Sequence, residues 1–209
     1  MFDALMLGCG AFWTLTYVLI IRRGFLDETY GMPLVALCAN ISWEFIFSFV
    51  HPHGPVQRPV NIVWFCLDLI VLFQLLRYGP REFTDLSKRT FYALFGLALA
   101  ASLCAVLAVK HEFGDWDGAY SAFGQNLLMS VLFVAMLRAR GAPRGQSVPI
   151  AVFKMLGTGL ASAAFYLYSP LSEGSVLLPF LYVATLVFDL IYVVAMVRAQ
   201  RLVEERLKS

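Results

Sequence analysis

Long apolar runs alternate with short polar breaks along almost the whole chain. A bilayer core needs about 20 apolar residues per helix, within about 17–25. By that ruler the pattern predicts an all-α fold of seven transmembrane helices in a single domain over residues 1–209. The spans fall at about 3–21, 33–50, 60–76, 90–109, 120–138, 148–168 and 176–197. Each break carries a turn signal, such as Gly31-Met-Pro33, His51-Pro-His-Gly-Pro55, Tyr78-Gly-Pro80 and Gly141-Ala-Pro143. No room remains for a soluble domain, and no short repeat is visible.

Three positions break the apolar pattern from inside. Glu44, Asp68 and Asp189 lie mid-run, in Ile41-Ser-Trp-Glu-Phe-Ile-Phe47, Trp64-Phe-Cys-Leu-Asp-Leu-Ile70 and Leu186-Val-Phe-Asp-Leu-Ile-Tyr192. A charged Asp at the centre of a membrane helix costs about 2.5–3.5 kcal/mol even on an insertion-based scale. At 1.5 Å per residue, Glu44 sits about 16 Å, and Asp68 and Asp189 each about 12 Å, from an end of their spans. All three therefore approach the midplane. Helical spacing groups Asn40, Trp43 and Phe47 around Glu44, Trp64 with Asn61 around Asp68, and Tyr182, Thr185, Phe188 and Tyr192 around Asp189. The fifth span opens with Gln125-Asn126. In the sixth, Gly157 and Gly159 are expected to let helices pack closely, and Lys154 to snorkel towards the interface. The bland alternative for the acids is a polar network that glues helices together, and it is strongest for Asp68.

Composition agrees with a polytopic membrane protein. Of the 209 residues 60% are hydrophobic and 14% charged, with a mean hydropathy of +0.73. A net charge of +2 points away from nucleic acid. Thirteen of the sixteen basic residues fall after the first, third, fifth and seventh spans, which predicts a cytoplasmic C-terminus and an outside N-terminus. Cys9, Cys38, Cys66 and Cys104 all lie in apolar runs without a CxxC pair and read as buried free thiols. Met-Phe-Asp-Ala at the start lacks a basic n-region, so the first run reads as a retained helix. His51-Pro-His53 reads as a surface turn and Asp115-Trp-Asp117 as an interfacial one. No Asp-Asp-x-x-Asp run, Ser-His-Asp set or phosphate loop occurs, and the seventh span lacks the lysine of a retinal protein. No metal and no cofactor is expected.

Met32-Pro-Leu-Val-Ala-Leu-Cys-Ala-Asn-Ile-Ser-Trp-Glu44, Trp64-x-x-x-Asp68, Gly124-Gln-Asn126 and Phe188-Asp-Leu-Ile-Tyr192 resemble the membrane-bound terpene cyclases of meroterpenoid and indole-terpenoid pathways, along the whole chain. The resemblance implies that Glu44 and Asp189 are essential acids and that the substrate is a prenylated small molecule. The short chain leans towards a bacterial member. Such an enzyme protonates a terminal alkene or epoxide, and no diphosphate leaves. Desolvation penalises the charged form of a carboxyl, so a midplane acid is suited to carry the proton. Aromatic faces would stabilise the carbocation, by up to about 2 kcal/mol each when desolvated. The expected pair is Glu44 with Asp189, with Asp68 orienting or relaying. The rival reading is a proton-coupled solute carrier, which also uses midplane carboxylates.

Overall fold

The computed structural model describes residues 1–208. Among these residues every regular element is helical. The long helices are α1 (Phe2–Leu26), α2 (Leu34–Phe45), α3 (Gln57–Tyr78), α4 (Lys88–Glu112), α5 (Ala119–Arg140) and α6 (Val148–Tyr168). A four-residue α7 (Pro170–Glu173) precedes the terminal α8 (Leu177–Lys208). Six of these are long and apolar enough to cross a membrane: α1, α3 with its 3-10 extension to Arg81, α4, α5, α6 and α8 up to Arg206. The second expected span is apolar but shorter, Leu34–Val50, and it is not a plain α-helix. Its last five residues, Ile46–Val50, form a π turn closed by His51 N–H donating to the Ile46 carbonyl at 2.7 Å. Such turns are rare and concentrate at functional sites; this one begins two residues after Glu44.

The helices overrun the expected spans at several ends. α1 continues to Leu26 and α8 to Lys208, carrying basic residues well past the apolar stretch. Arg23 stabilises the α1 end through an ion pair with Asp27 at 2.7 Å. Ser87 and Ser147 cap α4 and α6 by accepting from Thr90 N–H and Ile150 N–H.

α1 lies along α6 and also touches α3; α2 is wedged among α3, α4 and α5; α8 packs on α5 and α6. α4 is peripheral, with only 6% of its most apolar stretch buried. Gly157 opens the α1–α6 contact as expected, since a Cβ there would lie 2.7 Å from the Trp13 ring. Gly159 does not: a Cβ there would meet nothing within 4 Å. The loops after α1, α3 and α5 gather at one end, where Arg140 binds Glu82 at 2.9 Å and the Tyr30 carbonyl at 3.0 Å. All four cysteines are free; Cys9 and Cys38 are buried, whereas Cys66 and Cys104 are exposed on the outside of the bundle.

Candidate functional site

α2 presents Asn40 and Glu44 one turn apart, facing α1 and α3. Glu44, 2% exposed, accepts at Oε1 from Tyr17 O–H at 3.1 Å and from Asn40 Nδ2 at 2.9 Å. Asn40 Nδ2 also reaches Asp68 Oδ2 at 2.8 Å and the Tyr17 hydroxyl. One amide nitrogen with two hydrogens thus sits among three oxygens, and it bridges two carboxyl groups. Gln125 Nε2 donates to Asn40 Oδ1 at 3.2 Å, which sets the amide's orientation. Glu44 Oε2 and Asp68 Oδ1 are buried without a hydrogen-bond partner among the described residues. Among the described residues no basic side chain is a hydrogen-bond or ion-pair partner of either acid.

Glu44 lines a cavity of about 320 Å³, within the usual size range of small-molecule pockets. Trp13, Tyr17, Trp43, Trp64, Phe123 and Phe165 supply aromatic surface, and Asn40, Gln125 and Asn126 supply amides. His53, Gln57 and Asp117 lie at one end, from the loops joining α2–α3 and α4–α5 and the start of α3. Trp43 is fixed there by its indole N–H donating to the Gly118 carbonyl at 2.9 Å. Gly118 has φ +64°, and a Cβ would sit 2.5 Å from the Phe47 ring. A short chain of bonds holds the same end: Gln57 donates to Asn61 Oδ1 at 2.8 Å, Asn61 Nδ2 to His53 Nδ1 at 2.9 Å, and His53 Nε2–H to the Asp117 carbonyl at 3.1 Å. Burial pulls the His53 imidazole below its ordinary 6.5, against the opposing pull of the Asp117 carbonyl. Among the described residues no three His, Cys, Asp or Glu side chains converge as a metal site would need.

Asp189 belongs to a different centre. Its Oδ1 accepts from Lys154 Nζ at 2.6 Å, and Nζ also donates to Ser130 Oγ at 2.6 Å. Lys154 is fully buried, so it does not snorkel. The expected pairing of Glu44 with Asp189 is therefore not formed: Glu44 shares its amide with Asp68, and Asp189 holds a cation. Trp43 and Trp64 reach the cavity, with Trp64 anchored on Thr14 Oγ1 at 3.1 Å. Phe47 lies behind Trp43, with ring centroids 4.8 Å apart. Tyr182 backs the cavity wall edge-on to Phe123 at 4.5 Å, its hydroxyl bonded to Ser172. Tyr192 packs on Phe133, and Phe188 is half-buried on α8 outside the cavity lining. Tyr17, Trp13, Phe123 and Phe165 did not emerge from the sequence. The available signal was the Trp13-x-x-x-Tyr17 stripe in the first apolar run.

The family model of Pyr4-like transmembrane terpene cyclases matches residues 1–202. The chain is 31% identical over 160 residues to asnovolin H synthase nvfL of Aspergillus novofumigatus, covering 75% of this chain and 66% of that protein. It is 31% identical over 164 residues to terpene cyclase pyr4 of Aspergillus fumigatus, again covering 75% and 66%. Terpene cyclase macJ of Penicillium terrestre is 30% identical over 213 residues, covering 96% of this chain and 82% of its own length. For the first two, the match spans just under two thirds of the relative. No solved structure matches.

Proposed function

The chain belongs to the Pyr4-like transmembrane terpene cyclases, a family of multi-pass membrane proteins, and on that premise we propose that it cyclises a prenylated small molecule by proton transfer from Glu44. The observation that carries this reading is Glu44, which lines an aromatic cavity and whose Oε2 is buried and unpartnered among the described residues. The Glu44 carboxyl gives its proton to the terminal alkene or epoxide of the prenyl chain. A carbon cation forms and the carboxylate remains. Low local polarity strengthens the attraction between the two charges, and the faces of Trp13, Trp43 and Trp64 spread the cation's stabilisation along the chain. The cation then loses a proton or is captured by a nucleophile of the substrate itself. No diphosphate is lost and no metal is needed.

Asn40 and Tyr17 position the donor by hydrogen-bonding the carboxylate that develops. Asp68 accepts from the same Asn40 nitrogen and holds that amide in place. Asp189 is essential by another route, as the counter-charge of Lys154. The whole chain works as one transmembrane unit with the C-terminus in the cytoplasm, which the placement of thirteen of sixteen basic residues supports. The carrier reading has no observation of its own beyond buried acids, and family membership favours the enzyme.

The test is product analysis with membranes containing Glu44→Gln and a prenylated quinone or indole. Cyclised product disappears while the protein stays folded. Cyclisation at near wild-type rate would remove Glu44 as the donor.

A further inference from the structure

A second opening lies on the outside of the bundle, between α6 and α8, and encloses about 370 Å³. Thr158, Gly159 and Ser162 line it from one face of α6; Val183, Leu186 and Asp189 line it from α8. The space beside Gly159 is open, since a Cβ there would meet nothing within 4 Å. Val183 and Leu186 are 63% and 46% exposed. The groove therefore opens sideways, where acyl chains lie. From Pro179 to Asp189 it follows ten residues of α8, about 15 Å.

One end of this apolar slot is polar. Thr158 is 2% exposed, lines the groove, and has no hydrogen-bond partner for Oγ1 among the described residues. Asp189, 1% exposed, lines the same end, with Lys154 bonded to its other side. Asp189 lies twelve residues into α8, about 18 Å from its start, so this end is deep in the membrane. Bilayer lipids keep their polar groups at the interface and bring only hydrocarbon to that depth. Such an occupant would leave the Thr158 hydroxyl unanswered.

We propose that the α6/α8 groove is a second binding site, open to the bilayer, for an isoprenoid chain whose buried end bears an oxygen. That oxygen accepts from Thr158 Oγ1 and, when it is a hydroxyl, donates to the Asp189 carboxylate. The choice of an isoprenoid rests on the function proposed above; the position of the site and its need for oxygen do not.

The experiment uses the full chain in phosphatidylcholine nanodiscs, a diazirine-bearing farnesol as photoprobe, and peptide mapping by mass spectrometry. Mapped to single residues, label is expected on Met155, Thr158, Ser162 and Tyr166 of α6 and within 179–189 of α8, as distinct from Ala161 and Phe165, which line the Glu44 cavity. Unmodified farnesol competes for it, and the same chain without oxygen competes about tenfold less well, the difference of one hydrogen bond. Gly159→Leu or Ser162→Leu, filling the groove from α6, abolishes this label and leaves label on α1 and α5 peptides of the Glu44 cavity intact. Thr158→Val lowers farnesol labelling and leaves competition by the hydrocarbon unchanged. The proposal is overturned if hydrocarbon and farnesol compete equally, if both filling variants label normally, or if added phosphatidylglycerol displaces the probe as well as farnesol does. No arm uses turnover, so an active Glu44→Gln enzyme would sink the donor assignment without touching this result.

Discussion

Breaking the Lys154–Asp189 pair should unfold the protein far more than removing both charges together. Both side chains are buried, at 0% and 2% exposure, and they meet at 2.6 Å. Asp189→Asn leaves the Lys154 ammonium with the Ser130 hydroxyl and two ring faces, Trp13 and Phe133, each 5.9 Å from Nζ. Neither hydroxyl nor rings replace a counter-charge. Removing one partner of a buried pair costs about 3–5 kcal/mol, whereas replacing both by apolar groups of similar volume is often neutral or stabilising. At about 1.36 kcal/mol per tenfold, the single change lowers the folded-to-unfolded ratio by roughly a hundred to a few thousand. For a chain of this size that corresponds to a loss of roughly 6–20 °C in Tm, by the scaling known for soluble domains. The assay is thermal unfolding in detergent micelles, followed by circular dichroism, of Asp189→Asn, Lys154→Met and the double variant Lys154→Met/Asp189→Leu. Each single variant melts early and the double variant melts near wild type. The reasoning is refuted if Asp189→Asn melts with wild type, or if the double variant is no better than the worse single one.

Tyr17→Phe removes one donor from Glu44 Oε1 and keeps the ring; a hydrogen bond to a charged group is worth about 1.5–3 kcal/mol, so turnover should fall roughly ten- to hundredfold with little change in Tm. Gly118→Ala places a Cβ at φ +64°, 2.5 Å from the Phe47 ring and 2.8 Å from Trp43 Nε1. It should cost about 1–3 kcal/mol, read as a lower Tm together with altered product ratios as Trp43 shifts. His53 titrates below its ordinary 6.5 because of burial, so the unfolded chain binds its proton first as pH falls. Stability from this group is complete above about pH 6.5 and declines below it. His53→Gln should flatten the acid side of a Tm-against-pH curve, and an unchanged acid limb would count against the Asn61–His53–Asp117 clasp.

Hydropathy made the long helices legible because each apolar run must match the bilayer. It marks where hydrocarbon ends, not where a helix ends. That is why α1 runs on through Arg22 and Arg23 to Leu26, and why α8 carries its basic tail as helix. The π turn at Ile46–Val50 left no mark in the pattern, since it changes one hydrogen-bond register in a run that is apolar apart from Ser48. Helical spacing put Asn40 on the face of Glu44, and the structure joins the two at 2.9 Å, but it paired Glu44 with Asp189 rather than with Asp68. It could not say which face of another helix would oppose it. Snorkelling was expected of Lys154 because it lies six positions after Val148, but its side chain turns towards α5 and α8, where Ser130 and Asp189 bind the ammonium. Tyr17 escaped notice because an apolar run absorbs tyrosine, and its hydroxyl matters only once α2 lies against it.

The separation of the two polar centres has a chemical reason. A proton donor and a buried lysine are incompatible neighbours. An ammonium within reach of Glu44 would hold it as a carboxylate, and an alkene or epoxide could not draw a proton from that ion pair. The bundle keeps the fully buried Lys154 on α6, matched at once by Asp189 of α8, and leaves the acids of α2 and α3 joined by a neutral amide. A lysine brought to the Glu44 cavity should therefore act as a poison rather than a support. Gln125→Lys, on α5 and bonded to Asn40, puts an ammonium at that cavity. Cyclisation should vanish at neutral pH even where the protein melts normally, whereas Gln125→Met, of similar length and uncharged, should keep measurable product. Equal activity of the two variants would mean that charge balance at Glu44 does not govern the proton transfer.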